Sequence, residues 1–345
     1  MSTRIDSDTA QASRSLASTL ATDSAPGPAE PRAQAAVSLD VTLCGVRFRN
    51  PIVLASGILG LSEEVFVRLA RAGIGGITTK SCSLQPRVGW HNPTILNWGH
   101  GLINAVGLSN PGVEVMVEEI RAAKRQLQPL GVPIIASIFA TTIYDFGVLA
   151  RYISEAEPDL IEVNISCPNL DAQHEEMFSS NAYVSGQVTR AVKRNARCPV
   201  VVKLSPNVDS IVAIAREVAN NGADAICAIN SLGPGMVLDI ESARPVLSNR
   251  TGGVSGPAIR PIAVRCVYDI CRALRGAGVQ VIGTGGVTDA RDAIEMILAG
   301  ATCVGVGSAV STRGLGVFAE ITAGIADYMR RHGYASIEAF RGRAL

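Results

Sequence analysis

The sequence lacks several features that would indicate particular classes of protein. Only 4% of its 345 residues are aromatic, its formal net charge is +1, and none of its eight cysteines belongs to a CxxC pair. The near-zero charge gives no electrostatic basis for nucleic-acid binding, and the cysteine spacing matches neither zinc ribbons nor iron–sulphur sites. No apolar run approaches the length of a membrane span and no signal-peptide pattern is present, so the sequence predicts neither membrane insertion nor secretion.

The eight cysteines are scattered along the chain, which favours a reducing compartment over a disulfide framework. We therefore expect a cytoplasmic protein in which most thiols are buried as small hydrophobic groups. No Asp/Glu pair or HExxH-type spacing is present, so we expect no metal site.

Residues 1–38 differ in composition from the rest of the chain. They are rich in Ser, Thr, Ala, Asp and Pro and show no apolar periodicity. Such a segment buries too little surface to offset the entropy cost of ordering it. We expect a disordered N-terminal tail over 1–38 and one catalytic domain over 39–345.

From residue 39 onward, short apolar runs alternate with segments of helical periodicity. The runs are rich in β-branched residues and apolar on both faces, which is typical of buried parallel strands. Their number predicts an α/β fold, a (β/α)8 TIM barrel with long βα loops at the C-terminal face. A doubly wound open sheet is the alternative, but no GxGxxG follows the first strand. The predicted strands are 51–56, 75–80, 132–138, 159–165, 198–204, 224–230, 279–285 and 302–308.

Glycine, at 34 residues, is more frequent than the usual share of about 7%. The last two predicted strands end in GTGG (283–286) and GVGS (305–308). Loops after strands seven and eight are where barrels most often hold a phosphate, because backbone N–H groups can approach it there. The pattern favours a phosphate site over simple tight turns, and both sugar phosphates and flavin mononucleotide (FMN) would fit it.

Polar side chains follow several strands, and three long βα loops (81–112, 168–182 and 231–257) surround them. Lys80 and Lys203 end strands, so each ammonium group should face the barrel mouth. Cys167, in VNISCPN, opens a loop at the same face, where either a structural thiol or an acid/base group would fit. Several asparagines also end strands, and together they indicate a ligand rich in carbonyl and N–H groups, such as a cyclic imide or pyrimidine.

Taken in order, these motifs resemble the class 1 dihydroorotate dehydrogenases, and TGGVSGPAIRP is closest to the class 1B and archaeal branch. The resemblance runs from about residue 39 to the C-terminal region. Its matching segments are NPIVLASG (50–57), TTKS (78–81), INAVGLSNPG (103–112), VNISCPN (163–169), VVKLSPN (201–207), INS (229–231), TGGVSGPAI (251–259), IGTGGV (282–287) and VGVGS (304–308).

The resemblance implies an FMN-dependent oxidation of dihydroorotate to orotate in de novo pyrimidine synthesis. Cys167 would be the general base at C5, and the hydride from C6 would pass to flavin N5. FMN would be held by Ser56, Lys80, Ser81, Asn164, Lys203, Ile229, Gly256, Gly285, Gly286, Gly307 and Ser308. The substrate would be held by Lys80, Asn104, Gly107, Leu108, Asn164, Asn169, Asn230 and Ser231.

The resemblance also implies protein partners, and departures from the family pattern leave alternative functions open. A homodimer is expected, and the class 1B members pass electrons to an iron–sulphur flavoprotein subunit. The segment after CPN, LDAQHEEMFSSNAYVSG, departs from the glycine-rich loop usual in that class, as GWHNPT (89–94) departs from the loop before Asn104. One alternative is therefore an FMN-dependent paralogue that acts on another dihydropyrimidine or cyclic amide. A second is a flavin-free phosphate-binding barrel lyase or isomerase.

Overall fold

A computed structural model describes residues 36–165, 178 and 180–345 of the chain. Residues 1–35 of the expected tail, together with Cys167 and Asn169, lie outside the described residues. In the described part, parallel strands pair in chain order and close into a barrel, which confirms the predicted TIM barrel. The barrel strands are β1 (Ile52–Leu54), β2 (Gly76–Thr78), β3 (Ile134–Ile138), β4 (Leu160–Asn164), β5 (Val200–Leu204), β6 (Ala225–Ala228), β7 (Gln280–Thr284) and β8 (Cys303–Val306).

Helices cover the outside of the barrel and begin where the sequence offers capping groups. Thr142, Asn181 and Ser210 each accept a hydrogen bond from the backbone N–H three residues later, the usual N-cap arrangement. Of the described helices, none is long and apolar enough to cross a membrane. The helices are α1 (Glu63–Arg71), α2 (Val113–Leu127), α3 (Ile143–Ile153), α4 (Ala182–Asn195), α5 (Ile211–Asn220), α6 (Arg260–Ala273), α7 (Ala290–Leu298), α8 (Ala309–Arg313) and α9 (Val317–His332).

The core lies in the barrel and in the layer between the barrel and its helices. Every residue of β3, β4 and β5 is buried, because each strand faces the barrel interior on one side and helices on the other. This double burial explains the continuous apolar runs in the sequence. The core contacts extend to Val37, which packs against the main cluster.

A short hairpin packs against the N-terminal end of β7. Its strands, Val41–Leu43 and Val46–Phe48, are joined by Cys44 and Gly45, both with positive φ, as a two-residue hairpin turn of the primed type requires. Gln280, the first residue of β7, accepts from the Cys44 N–H at 2.6 Å and donates to the Thr42 carbonyl at 2.8 Å. The hairpin therefore lies at the end of the barrel opposite the predicted site.

The two longest βα loops pair with each other in an antiparallel sheet that the sequence did not predict. We call this sheet the roof. Its strands, in order, are Leu232–Gly235, Gly252–Ser255, Leu102–Asn104 and Ile95–Asn97. Each strand has only three or four residues, and the central pairing joins the loop after β2 to the loop after β6. Because that pairing is non-local, no periodicity within either loop indicates it.

Candidate active site

A cavity of about 1110 Å³ opens at the C-terminal ends of the barrel strands, next to the roof. Lys80 and Lys203 line it, and no aspartate or glutamate is among the described residues of its wall. Apolar side chains such as Ile58, Ile95 and Leu102 form other parts of the wall. The arrangement suits a ligand with a flat apolar body and anionic groups.

A chain of hydrogen bonds runs from the barrel interior to the cavity. Glu162 is 2% exposed, and its Oε1 accepts from the Ser137 hydroxyl at 2.8 Å. The hydroxyls of Ser137 and Ser81 are 2.8 Å apart, and the Asn164 Nδ2 group donates to Ser81 at 3.1 Å. Asn164 Oδ1 in turn lies 3.5 Å from Asn230 Nδ2. The buried carboxylate is therefore connected to two amides of the cavity wall.

The Glu162 carboxylate determines which group donates and which accepts at each hydrogen bond of this series. Ser137 donates its one hydroxyl proton to Glu162, so it can only accept from Ser81. Ser81 then has no proton left for Asn164 and must accept from its Nδ2 group. The Asn164 carbonyl oxygen consequently faces away from Ser81. Glu162 thus orients an amide two hydroxyl groups away.

Lys203 and Glu162 place opposite charges inside the barrel. The strand register sets Lys203 beside Asn164 on β4 and beside Cys227 on β6. Burial raises the pKa of the Cys227 thiol to about 12, with Glu162 also raising it and Lys203 lowering it. Both groups therefore act electrostatically on Cys227 inside the barrel, and Lys203 also lines the cavity.

The glycines after β7 and β8 form a cradle at one end of the cavity. Gly285 and Gly286 have φ of +133° and +74°. A Cβ on Gly286 would lie 2.6 Å from the Arg260 Cβ, and one on Gly285 would lie 2.6 Å from the Ala263 Cβ. Neither position has room for a side chain, so the backbone packs closely on α6. With Gly307 and the Ser308 hydroxyl, the cradle offers neutral donors that fit a phosphate group.

A buried carboxylate supports the loop after the cradle. Asp292, 1% exposed, accepts the Thr288 N–H at 2.8 Å and its hydroxyl at 2.6 Å. The other oxygen of Asp292 forms an ion pair with Arg260. The cradle is therefore fixed from behind by an acid that the sequence reading did not single out.

The loop after β2 forms one wall of the cavity, and the side-chain amide of Asn110, a residue of the same loop, fixes its backbone. Leu108 lines the cavity with a φ of +55°, a conformation that costs energy for a branched side chain. Asn110 donates to the Leu108 carbonyl at 2.8 Å and accepts from the Gly112 N–H at 2.9 Å. Asn104 donates to the Gly253 carbonyl of the roof at 3.4 Å.

The structure brings most of the predicted site residues together. The whole predicted FMN set lines the cavity, as do Asn104, Leu108, Asn230 and Ser231 of the predicted substrate set. Gly107 does not line the cavity. A Cβ on Gly107 would lie 2.5 Å from the Trp90 ring, so the absence of a side chain there leaves room for the indole. Cys167 and Asn169 lie outside the described residues. Thr284, Ser255 and the apolar residues of the cavity wall were not predicted from the sequence. The only feature of the sequence that could have indicated them is their position next to the end of a strand.

The described cysteines are all free, and burial raises the pKa of each thiol. Cys82, Cys227 and Cys303 are buried and the others half-buried. They therefore stay protonated near neutral pH and behave as packing groups. No cluster of metal-ligating side chains occurs among the residues that the structure describes.

Comparison with known proteins identifies close relatives of the chain. The family model of dihydroorotate dehydrogenase matches residues 38–329. The catalytic subunit of dihydroorotate dehydrogenase B (NAD(+)) from Methanothermobacter thermautotrophicus is 42% identical over 89% of this chain and 98% of that protein. Its counterpart from Pyrococcus abyssi is 42% identical over 89% of this chain and 99% of its own length, and that from Methanosarcina mazei is 43% identical over 88% and 94%.

Proposed function

The chain belongs to the dihydroorotate dehydrogenase family, and on that premise we propose that it oxidises dihydroorotate to orotate with bound FMN in pyrimidine synthesis. The observation that supports the proposal most directly is the composition of the cavity. It combines a glycine cradle, two lysines and several amides, and its described wall carries no carboxylate. An anionic pyrimidine and a phosphorylated flavin both match that chemistry.

Each side-chain type in the cavity has a task in the proposal. The Lys80 ammonium group binds the substrate carboxylate, and Asn104, Asn164 and Asn230 bind the amide edges of the ring. Because Glu162 orients Asn164, the carbonyl oxygen of that amide can accept a ligand N–H. FMN, held by the cradle and Lys203, would supply the acceptor for the hydride from C6 of the substrate. Lys203 places a positive charge at the cavity floor, where it favours negative charge on the ring above it.

We assign the removal of the C5 proton to Cys167, as the family resemblance implies. A thiol can act as general base when its surroundings lower its pKa toward neutrality. Every described cysteine has a raised pKa, which leaves Cys167 as the candidate. Seven free thiols also suit a reducing compartment, so we place the protein in the cytoplasm as part of the proposal.

The first experiment tests flavin and substrate together. Purified protein should be yellow, and its flavin absorbance should bleach when dihydroorotate is added without oxygen. Protein that binds no FMN after reconstitution would refute the proposal. Yellow protein that dihydroorotate fails to reduce, but another dihydropyrimidine reduces, would assign the chain to a different substrate.

The second experiment tests the base. We expect Cys167→Ala to keep bound FMN and to lose about 10²- to 10⁴-fold in the rate of flavin reduction by dihydroorotate. Cys266→Ala, which removes a half-buried thiol on α6, is the matched control and should reduce at the parental rate. Equal rates for Cys167→Ala and the parent would remove Cys167 from the mechanism.

The electron acceptor and the assembly complete the proposal. The relatives are named as NAD(+)-dependent catalytic subunits, which supports a second, electron-transferring subunit of the iron–sulphur flavoprotein kind. We propose that the chain alone, as a homodimer, reduces an artificial dye but not NAD⁺. Light scattering should give twice the chain mass, and a monomeric mass would contradict the dimer.

A further inference from the structure

A second cavity of about 400 Å³ adjoins the cradle. It shares Leu102, Gly256 and Ser308 with the main cavity. Its other walls come from the turn 97–102, which joins two roof strands, and from Thr288 and Thr312 near the ends of β7 and β8. The second cavity therefore lies at the phosphate end of the proposed flavin site.

The turn packs directly against Ser255 and Gly256, at the end of the roof strand Gly252–Ser255. A Cβ on Gly256 would lie 2.8 Å from the Gly101 Cα, and a Cβ on Gly101 would lie 2.2 Å from the Ser255 carbonyl oxygen. The Trp98 N–H donates to the Gly101 carbonyl at 3.1 Å and closes the turn. The turn and Ser255–Gly256 thus touch through backbone atoms, with no side chain between them, and a Cβ on Gly256 would lie 3.6 Å from the Ser308 hydroxyl oxygen of the cradle.

His100 lies at the tip of this turn and lines the second cavity. Its ring contacts the Trp98 ring edge-on, with centroids 5.1 Å apart. Among the described residues of the cavity wall, His100 is the only ionisable one. The indole therefore packs against an imidazole that lines the same cavity as Gly256 and Ser308.

Two arginines near the cradle form ion pairs with carboxylates. Arg260 packs against Gly286 and pairs with Asp292 and Glu295. Arg313 donates to the Thr288 carbonyl and pairs with Glu320. These carboxylates weaken the attraction of either arginine for an anion. Apart from His100, the described residues that line the second cavity offer a phosphate only neutral N–H and hydroxyl or amide donors.

We propose that His100 is a phosphate-binding residue, whose imidazolium contacts the flavin phosphate from the second cavity. The assignment rests on the proposed function, because the ligand is the phosphate of FMN. The contact therefore strengthens FMN binding through the phosphate and not through the isoalloxazine ring.

The test compares FMN with riboflavin, which lacks the phosphate, by fluorescence titration of the apoprotein. Near pH 6, His100→Gln should bind FMN about fivefold more weakly than the parent. Riboflavin affinity should be the same for both proteins. The control is His91→Gln, which changes a histidine of the same loop that lines neither cavity.

The possible outcomes separate this assignment from the proposed function. Equal FMN affinity of His100→Gln and the parent near pH 6 would overturn the assignment alone. An equal loss with riboflavin would also overturn it, since the turn would then be affecting the cavity and not the phosphate. A parent apoprotein that binds neither flavin would refute the proposed function, and the assignment with it.

Discussion

The hydrogen bond between Ser137 and Glu162 is the interaction whose loss can be predicted most sharply. Ser137 is fully buried and donates its hydroxyl proton to a carboxylate that is 2% exposed. Ser137→Ala removes that donor and changes the side-chain volume little. A hydrogen bond to a charged group is worth about 1.5–3 kcal/mol, so we expect the free energy of unfolding to fall by about 2 kcal/mol.

A second buried serine provides the matched control. Ser154, 1% exposed, donates to the neutral carbonyl of Ala150 at 2.6 Å and accepts from the Arg197 N–H at 3.2 Å. A neutral hydrogen bond is worth about 0.5–1.5 kcal/mol, so Ser154→Ala should cost about 1 kcal/mol. The predicted difference between the two variants is therefore about 1 kcal/mol, and it measures the charge on Glu162.

Urea-induced unfolding of the apoproteins, followed by far-UV circular dichroism, gives both values. Combining Ser137→Ala with Glu162→Gln in a double-mutant cycle should give a coupling free energy of about 1 kcal/mol. In the holoprotein, Ser137→Ala should also weaken orotate binding, because the Asn164 amide loses its fixed orientation, whereas Ser154→Ala should not. Equal losses of unfolding free energy for the two serine variants, with no coupling free energy in the cycle, would refute the stronger hydrogen bond between Ser137 and the Glu162 carboxylate.

Three further changes have outcomes set by local geometry. Gly286→Ala should raise the FMN dissociation constant more than about tenfold in a fluorescence titration, whereas Gly314→Ala, which also has positive φ but open space around it, should not. Burial raises the pKa of the Cys82 thiol from 9.0 to about 12, so the thiol's contribution to stability is complete below about pH 9 and is lost as the pH rises toward 12. Between about pH 8 and 10, ionisation of this thiol in the unfolded chain should lower the free energy of unfolding by about 1.4 kcal/mol. Cys82→Ala should therefore reduce the pH dependence of the unfolding free energy measured in urea. Asp292→Ala should lower the unfolding free energy by about 3 kcal/mol and Glu320→Ala by less than about 1 kcal/mol, and similar losses would contradict the bracing role of Asp292.

Much of the barrel could be predicted from the sequence because its strands are buried on both faces. PIVLAS and CPVVVKL contain continuous apolar runs, and the structure places β1 and β5 within them. The cradle was also predictable, because only glycine fits the close approach at Gly285 and Gly286. Both features depend on residues whose neighbours in the chain already specify the environment.

The rest of the site depends on contacts between distant segments. Glu162 is an acid inside the apolar run DLIEVNI, which is a visible signal, but its partner Ser137 comes from another strand. His100 lines the same cavity as Ser308 of the cradle because two loops pair in the roof. Gly107 matched a family motif, yet its structural constraint is the Trp90 ring and not the cavity. A single sequence indicates which residues are unusual, whereas the fold decides what they touch.

The roof strand Gly252–Ser255 links the two ends of the cavity. At one end, Gly253 pairs with Asn104 and accepts a hydrogen bond from its amide, and a Cβ on Gly252 would lie 2.5 Å from the Asn104 carbonyl oxygen. At the other end, Ser255 leads into Gly256, which touches the turn that carries His100. Because neither contact leaves room for a side chain, a shift of this strand would displace Asn104 and the turn 97–102 together. Asn104 and the turn that carries His100 are therefore positioned by one short strand, so a change in the turn should shift Asn104.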